Sequence, residues 1–331
     1  MKTRTLGAND IKGFFYRYSC FFILVLLMVI STILSPVFLS KQNIFNVLRQ
    51  QVPIVLMSIG ALLVILTAGI DLSTGANLAI CNTLLAYLLD SVGLNTYLGL
   101  AISIPISILA GAAMGAVNGG LISYLRMPAF IATLGTMTMA RGVALIITGG
   151  SPIRPPTDSA VAPGSAGLYQ FGQQGDPLTG MPWAVWVVIL FVAFFWFLMK
   201  YTSFGRLVVA TGSNEMATRL AGINVRRYKL AAYTICGALS GVAAVMQTAR
   251  AGIANASAGQ GFELDAISAV VVGGASLSGG RGWVANTIAG VFILALIKNI
   301  MNLLAVPPYP QQIIQGAIII LAVLMSLGNE K

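Results

Sequence analysis

Long apolar runs alternate with short polar connections along almost the whole chain. A helix needs about 20 apolar residues to cross the hydrocarbon core of a bilayer. The runs at 76–90 and 264–278 are short by that measure and adjoin glycine-rich segments, so broken or re-entrant helices are expected there. The pattern predicts an all-α polytopic membrane protein of about ten transmembrane helices, over 18–38, 52–70, 76–90, 97–122, 129–148, 182–200, 230–249, 264–278, 283–304 and 311–327.

The composition supports this fold class. Of 331 residues, 57% are hydrophobic and 8% are charged, whereas a soluble domain carries roughly a quarter charged residues, so a soluble enzyme is excluded. The chain has no histidine, the commonest metal ligand and proton relay. Cys20, Cys81 and Cys236 each lie in an apolar run and are interpreted as small buried hydrophobes. No metal, disulfide or other cofactor is expected.

The formal net charge of +10 is interpreted as a signal of membrane orientation. With the N-terminus inside and the first span uncleaved, most of the 19 Lys and Arg residues fall on the cytoplasmic side, many of them in the loop 201–229. Only Lys41, Arg49, Arg154 and Arg250 fall outside. Both termini are therefore predicted to be cytoplasmic, and no nucleic-acid partner is expected.

Two loops are long enough to have their own structure. The outer loop, at about 149–181, is rich in Pro and Gly and predicts an ordered but irregular lid. The inner loop, 201–229, predicts a short helix that Ser213 or Asn214 caps, with Glu215 in its first turn and Gly222 after its end.

Two weak internal repeats predict a duplicated architecture. The G-x-x-L-S-x-G pattern of Gly69–Gly75 returns at Gly274–Gly280, and the spacing of Gly111 and Pro128 returns at Gly290 and Pro307. Duplicated halves commonly place a transport path at their interface. The whole chain, 1–331, is then one transmembrane domain, with six spans in 18–200, a cytoplasmic loop at 201–229 and four spans in 230–327.

The segment Leu277–Arg281 reads LSGGR, which resembles the signature loop of ABC ATPases. The chain contains no G-x-x-x-x-G-K-[ST] phosphate cradle, and the segment lies between two predicted spans. We therefore expect no ATP hydrolysis by this chain.

Polar side chains in or near spans are costly in lipid and are candidates for a translocation path. Uncharged amides would suit a polyhydroxylated solute, and Asn82 and Gln247 share that chemistry. Helix capping or interhelical hydrogen bonding explains the same residues equally well. Ion coupling is disfavoured because no acid lies convincingly at the centre of a span. The candidates for the path are Asp71, Ser73, Asn77, Asn118, Arg141, Glu263, Asp265, Ser278, Asn299 and Asn302.

Four stretches together resemble the permease subunits of bacterial monosaccharide ABC importers, the ribose-type group of the branched-chain permease superfamily. They are 64–80 (VILTAGIDLSTGANLAI), 127–153, 204–225 and 261–282 (GFELDAISAVVVGGASLSGGRG). The similarity runs from about residue 20 to the end of the chain. It implies a subunit of the bacterial inner membrane that translocates ribose or a similar pentose or hexose.

The resemblance also implies partners: a separate ABC ATPase, a periplasmic sugar-binding protein and a second copy of the permease. Permeases for an amino acid, an autoinducer or a polyol stay open as alternatives, as do an ion-coupled carrier and a membrane scaffold or receptor. In the family, a short cytoplasmic helix couples the permease to the ATPase. It maps here onto Gly212, Ser213, Asn214, Glu215, Ala217, Thr218, Arg219, Gly222, Ile223 and Asn224.

Overall fold

A computed structural model describes residues 8–328, and helices dominate this range. Outside the helices, β-type pairing among the described residues is limited to two isolated antiparallel bridges, Ile153–Ala254 and Gly175–Pro182. The helices are α1 (Ala8–Leu34), α2 (Lys41–Leu66), α3 (Thr74–Leu89), α4 (Tyr97–Ser123), α5 (Ala129–Thr148), α6 (Pro163–Gln173), α7 (Trp183–Tyr201), α8 (Ser203–Ser213), α9 (Glu215–Leu220), α10 (Val225–Ala251), α11 (Phe262–Val272), α12 (Val284–Leu303) and α13 (Pro308–Gly328).

The predicted class, an all-α polytopic membrane protein, is confirmed, and every predicted span overlaps a helix. Within the described range, six helices are long and apolar enough to cross a bilayer: α2, α4, α5, α7, α10 and α12. The segments Cys20–Leu34 and Thr74–Leu89 are apolar but shorter. Helix α11 has 11 residues, so the short helices expected at 76–90 and 264–278 are present. A count of about ten transmembrane helices stays a prediction.

Helices α2 and α10 form the centre of the molecule. In their most apolar windows, 78% and 61% of the residues are buried, against 22% in both α4 and α7. Helix α10 packs on α4 through glycines, because a Cβ on Gly115 or Gly237 would lie under 3.0 Å from backbone atoms of the other helix. Small residues let helix backbones approach this closely in membrane proteins.

The outer loop is more regular than its composition suggests. It contains α6, which begins at Pro163, a residue whose fixed φ suits the first helical position. Leu168 of this helix packs against Leu85 and Val245. The prediction of an irregular lid was therefore wrong for this segment. Its proline and glycine content is typical of loops, but buried contacts stabilise a helix.

The turn before α7 is organised by Asp176. Its carboxylate accepts hydrogen bonds from the backbone N–H of Leu178 (2.9 Å) and Thr179 (2.7 Å) and from the Thr179 hydroxyl. These bonds, chiefly the Thr179 hydroxyl bond, hold the pKa of Asp176 well below its usual range. The carboxylate also accepts from Trp186 Nε1 of α7 at 3.3 Å, so this acid fixes the turn and ties it to α7.

The helix order bears on the proposed duplication. Gly69–Gly75 runs into the first residues of α3 and Gly274–Gly280 precedes α12, so this repeat matches α3 with α12. The glycine–proline repeat instead matches α4, which holds Gly111, with α12, which holds Gly290. The two repeats therefore match α12 with different helices, and the existence of two related halves stays a prediction.

Candidate functional site

Three of the predicted path residues form a buried polar chain. The carboxylate of Asp71, 4% exposed, accepts from the backbone N–H (2.9 Å) and the hydroxyl (2.6 Å) of Ser73. The Ser73 hydroxyl accepts from the Asn118 amide nitrogen (2.8 Å), and the Asn118 oxygen accepts from the Thr136 hydroxyl (2.7 Å). The chain links the segment between α2 and α3 to α4 and α5.

Helix α10 holds the segment that carries Asp71. The Tyr233 hydroxyl donates to the Ile70 carbonyl at 3.2 Å, and Tyr233 is fully buried. A Cβ on Gly69 would lie 2.5 Å from the same hydroxyl oxygen. Asp71 lies after the end of α2, as the sequence suggested, and it is buried there.

Asn77 and Asn82 hold helices together. The Asn77 amide donates to the Gly111 carbonyl of α4 at 3.1 Å. The Asn82 amide donates to the Thr248 hydroxyl of α10 at 2.6 Å and accepts from the Asn255 backbone N–H at 3.1 Å. These contacts match the interhelical role that the sequence left open for such amides.

Arg141 and Glu263 position the segment that leads into α11. Arg141 of α5 donates to the backbone carbonyls of Ala256 (2.5 Å) and Ala258 (2.9 Å). Glu263 accepts from the Gly261 backbone N–H at 3.2 Å. Arg141 therefore holds an irregular backbone segment through its carbonyl groups.

The remaining acidic candidate, Asp265, lines a cavity of about 260 Å³ between α2, α10, α11, α12 and α13, whose walls carry both polar and apolar side chains. Its carboxylate accepts from the Gln315 amide nitrogen. Near this cavity, Asn302 accepts from Gln311 at 2.9 Å. Sequence reasoning did not single out Gln311 and Gln315, although their spacing of four residues places both on one face of α13.

Two candidates lie elsewhere. Asn299 exchanges hydrogen bonds with Asn43 of α2, at 3.1 and 2.9 Å. Ser278 lies in the segment between α11 and α12, where its hydroxyl is 2.7 Å from that of Ser276. The predicted path residues therefore form separate groups in the structure, of which only the Asp71 chain joins several of them.

The inner loop folds into a helical hairpin made of α8 and α9. Asn214 caps α9, because its side-chain oxygen accepts from the Ala217 backbone N–H at 2.9 Å. Ser213, the other predicted cap, donates to the Val209 carbonyl of α8 at 3.0 Å. The Thr218 hydroxyl ties α9 back to α8 through the Ala210 carbonyl at 2.9 Å. The predicted short helix is thus present, and α8 precedes it.

Glu215, the first residue of α9, has two cationic partners. Its oxygens lie 2.8 Å from Arg219 Nη2 and 2.6 Å from Lys229 Nζ. These contacts, led by the hydrogen bond from Lys229, lower the pKa of Glu215. The Arg219 pair joins two residues four positions apart on one face of α9, and the Lys229 pair connects α9 to α10.

A junction of three glycines joins the hairpin to the end of α2. A Cβ on Gly212 of α8 would lie under 3.0 Å from the Leu66 carbonyl oxygen, closer than real Cβ atoms approach. The Gly280 backbone N–H donates to that same carbonyl at 3.1 Å, and Gly279 packs against Ala68. Five residues after Leu66, the chain reaches Asp71, so the hairpin contacts the segment that carries the polar chain.

Residues 43–323 match the model of a family described as the permease component of the branched-chain amino acid transport system. The chain is 42% identical over 304 residues to the ribose import permease protein RbsC of Escherichia coli (strain K12), covering 92% of this chain and 91% of that protein. It is 40% identical over 329 residues to the ribose import permease of Bacillus subtilis (strain 168), covering 98% of both chains.

The ribose import permease of Haemophilus influenzae is 37% identical over 333 residues, covering 100% of this chain and 99% of that protein. No solved structure matches the chain. A family match over most of the chain and identities of 37–42% over nearly full lengths leave one assignment: the chain belongs to the branched-chain-type family of membrane permease components.

Proposed function

We propose that the chain is the transmembrane subunit of an ATP-binding-cassette importer that translocates ribose, or a similar pentose or hexose, across a bacterial inner membrane. The observation that carries this proposal is the similarity, over nearly its full length, to three proteins named ribose import permeases. The family description names branched-chain amino acids instead, so an amino acid is the competing substrate class.

A separate ATPase would supply the energy. The capped helix α9 and the glycine junction at Gly212 support this proposal, because they give a partner protein a small rigid element that rests directly on the backbone of α2. The predicted coupling residues, Gly212 to Asn224, coincide with the end of α8, the whole of α9 and the turn before α10. The chain's own sequence contains no ATP-binding cradle.

The other proposed partners are a periplasmic sugar-binding protein on the outer face and a second copy of the permease. Both termini and the hairpin α8–α9 then face the cytoplasm, which agrees with the excess of Lys and Arg on that side. A partner ATPase would dock on the same side.

Movement of α9 would reach the translocation path through the contacts described above. A shift of the hairpin displaces Gly212 against Leu66, and the segment that follows Leu66 carries Asp71 and Ser73. The hydrogen bonds of Ser73 and Asn118 would then break and re-form in a second arrangement. Such a two-state network allows a gate to open and close without any net transfer of protons.

A second function, ion-coupled transport, is favoured by one observation. The sequence disfavoured ion coupling because it has no acid at the centre of a span, yet Asp71 is only 4% exposed. Buried acids are typical of proton and sodium relays. Its short bonds to Ser73 fit a structural role equally well.

Substrate class is tested by reconstituting the chain with its cognate ATPase and binding protein in proteoliposomes. Labelled ribose and labelled leucine are supplied in separate experiments. In each, ATP is present on the side of the vesicle membrane that the ATPase faces. We expect ATP-dependent accumulation of ribose and none of leucine. Accumulation of leucine without ribose would contradict the sugar assignment and favour the family's general description.

A further inference from the structure

The cavity beside Asp265 is distinguished by its amides, because a cavity of about 570 Å³ beside α9 also has charged groups of both signs but no Asn or Gln side chain in its lining. Another cavity, of about 530 Å³ between α2, α7 and α12, is lined by apolar side chains throughout. The cavity of about 260 Å³ is instead lined by four amides and by charged groups of both signs. Its main polar residues are Gln50, Gln51, Asp265, Lys298, Gln311 and Gln315.

We propose that this cavity, which shares no residue with the Asp71 chain, is a transient binding site for a monosaccharide on its way through the permease. The inference rests on the proposed function and assigns it a second site. At about 30 Å³ for each water in the liquid, 260 Å³ holds roughly nine waters, which is close to the size of a pentose with about ten non-hydrogen atoms. One sugar ring therefore fits, whereas a disaccharide is too large for this volume.

The lining provides what a sugar needs. Each hydroxyl of a sugar donates one hydrogen bond and accepts others, and amides can do both. The hydrogen bonds to Asp265 and Asn302 engage the amide nitrogens of Gln315 and Gln311, and each amide oxygen remains an acceptor with two lone pairs. Phe262 and aliphatic neighbours such as Leu294 offer an apolar wall for the C–H faces of the ring.

The charges of the lining distinguish a neutral sugar from an ion. Asp265 is opposed by Lys298 and Arg250 in the same wall, so one acid faces two bases. A zwitterionic amino acid could use an acid and a base together, which makes leucine the informative competitor. The four amides favour the sugar, because their oxygens and the amide nitrogens of Gln50 and Gln51 form hydrogen bonds without carrying a charge.

Cysteine labelling in the full importer tests the proposal. The native thiols Cys20, Cys81 and Cys236 are 3%, 0% and 0% exposed, so a membrane-impermeant maleimide added outside has little background. We expect Met301→Cys, which replaces an apolar side chain of the cavity wall, to import ribose before labelling, to lose at least tenfold in uptake after labelling, and to be protected by excess ribose. The control Val92→Cys, in the segment between α3 and α4 and 52% exposed, should be labelled at a rate that ribose does not change.

Several outcomes would overturn the site. They are absence of labelling from outside, full uptake after labelling, or protection by leucine and not by ribose. Should Met301→Cys fail to fold, Ala295→Cys in the same wall gives the same test. If the unmodified importer takes up no ribose at all, the proposed function itself fails. If the parent takes up ribose and labelling in the cavity does not reduce uptake by the variant, this inference alone is refuted and the proposed function stands.

Discussion

The glycine junction gives the most quantitative prediction, for the substitution Gly212→Ala. The new Cβ would lie under 3.0 Å from both the Leu66 carbonyl oxygen and the Gly280 backbone nitrogen. Both neighbours are backbone atoms, and they are hydrogen-bonded to each other at 3.1 Å. Rotating a side chain therefore cannot make room, and the hairpin must move away from α2.

Opposing effects set the size of the loss. Forcing an extra methyl group into a packed site costs about 1–3 kcal/mol, and rigid backbone neighbours place this case in the upper half of that range. Alanine is the better helix former by up to about 1 kcal/mol, and this gain is smaller here because Gly212 lies at the end of α8. The expected net destabilisation is therefore roughly 1–2 kcal/mol, most of it at the hairpin.

The assay compares Gly212→Ala with Gly120→Ala, in which the new methyl group has open space within 4 Å. Thermal unfolding in detergent should start at a lower temperature for Gly212→Ala than for the parent, and at an unchanged or higher temperature for Gly120→Ala. ATP-driven uptake should fall only in the first variant. If both variants are as stable and as active as the parent, the junction transmits nothing and the close contact is incidental.

The remaining predictions concern the polar chain, the coupling helix and the topology. Asn118→Leu removes both hydrogen bonds of a fully buried amide, so it should cost about 1–3 kcal/mol and abolish uptake; parental uptake would refute the gating role of the chain. Glu215→Gln should leave expression normal, since exposed ion pairs contribute about 0.3–0.5 kcal/mol, but should weaken ATPase assembly, and an unchanged pull-down of the ATPase would contradict this. The pKa of Glu215 is lowered in the folded chain, so its stabilising effect is present above the unfolded carboxyl pKa and is lost as the pH falls through the lower folded value. The parent and Glu215→Gln should therefore differ in ATPase assembly at neutral pH and become alike in acid. A difference that does not change with pH would refute the role of the charge. Reporters fused near residue 215 and near residue 165 should be cytoplasmic and periplasmic respectively, and the reverse result would overturn the orientation.

Local chemistry predicted the parts of the structure that neighbouring residues decide. Apolar runs indicated where the helices lie, because burial in lipid or protein requires about the same composition. The cap of α9 was predictable since Asn214 and Glu215 lie together in the sequence. Helix α6 was missed because Pro163 and nearby glycines are typical of loops, and only distant contacts show that the segment is packed.

Long-range contacts explain what the sequence did not predict. Thr136 completes the polar chain from α5, a predicted span in which this threonine was not among the candidates. Arg141 binds two backbone carbonyls of a segment more than a hundred residues away, and backbone acceptors leave no trace in side-chain identity. The meeting of Leu66, Gly212 and Gly280 is likewise a property of the fold, although each glycine was visible in a repeat or in a family-like motif.

The central claim is that this permease is driven by ATP hydrolysed on a partner chain through the hairpin α8–α9. The most direct measurement is uptake of labelled ribose by proteoliposomes that hold the permease, its ATPase and its binding protein, with ATP or an imposed proton or sodium gradient as the only energy source. We predict accumulation that requires ATP and all three proteins, with no ATP hydrolysis by the permease alone. Accumulation by the permease alone under an ion gradient would contradict the account and assign the buried Asp71 to ion coupling.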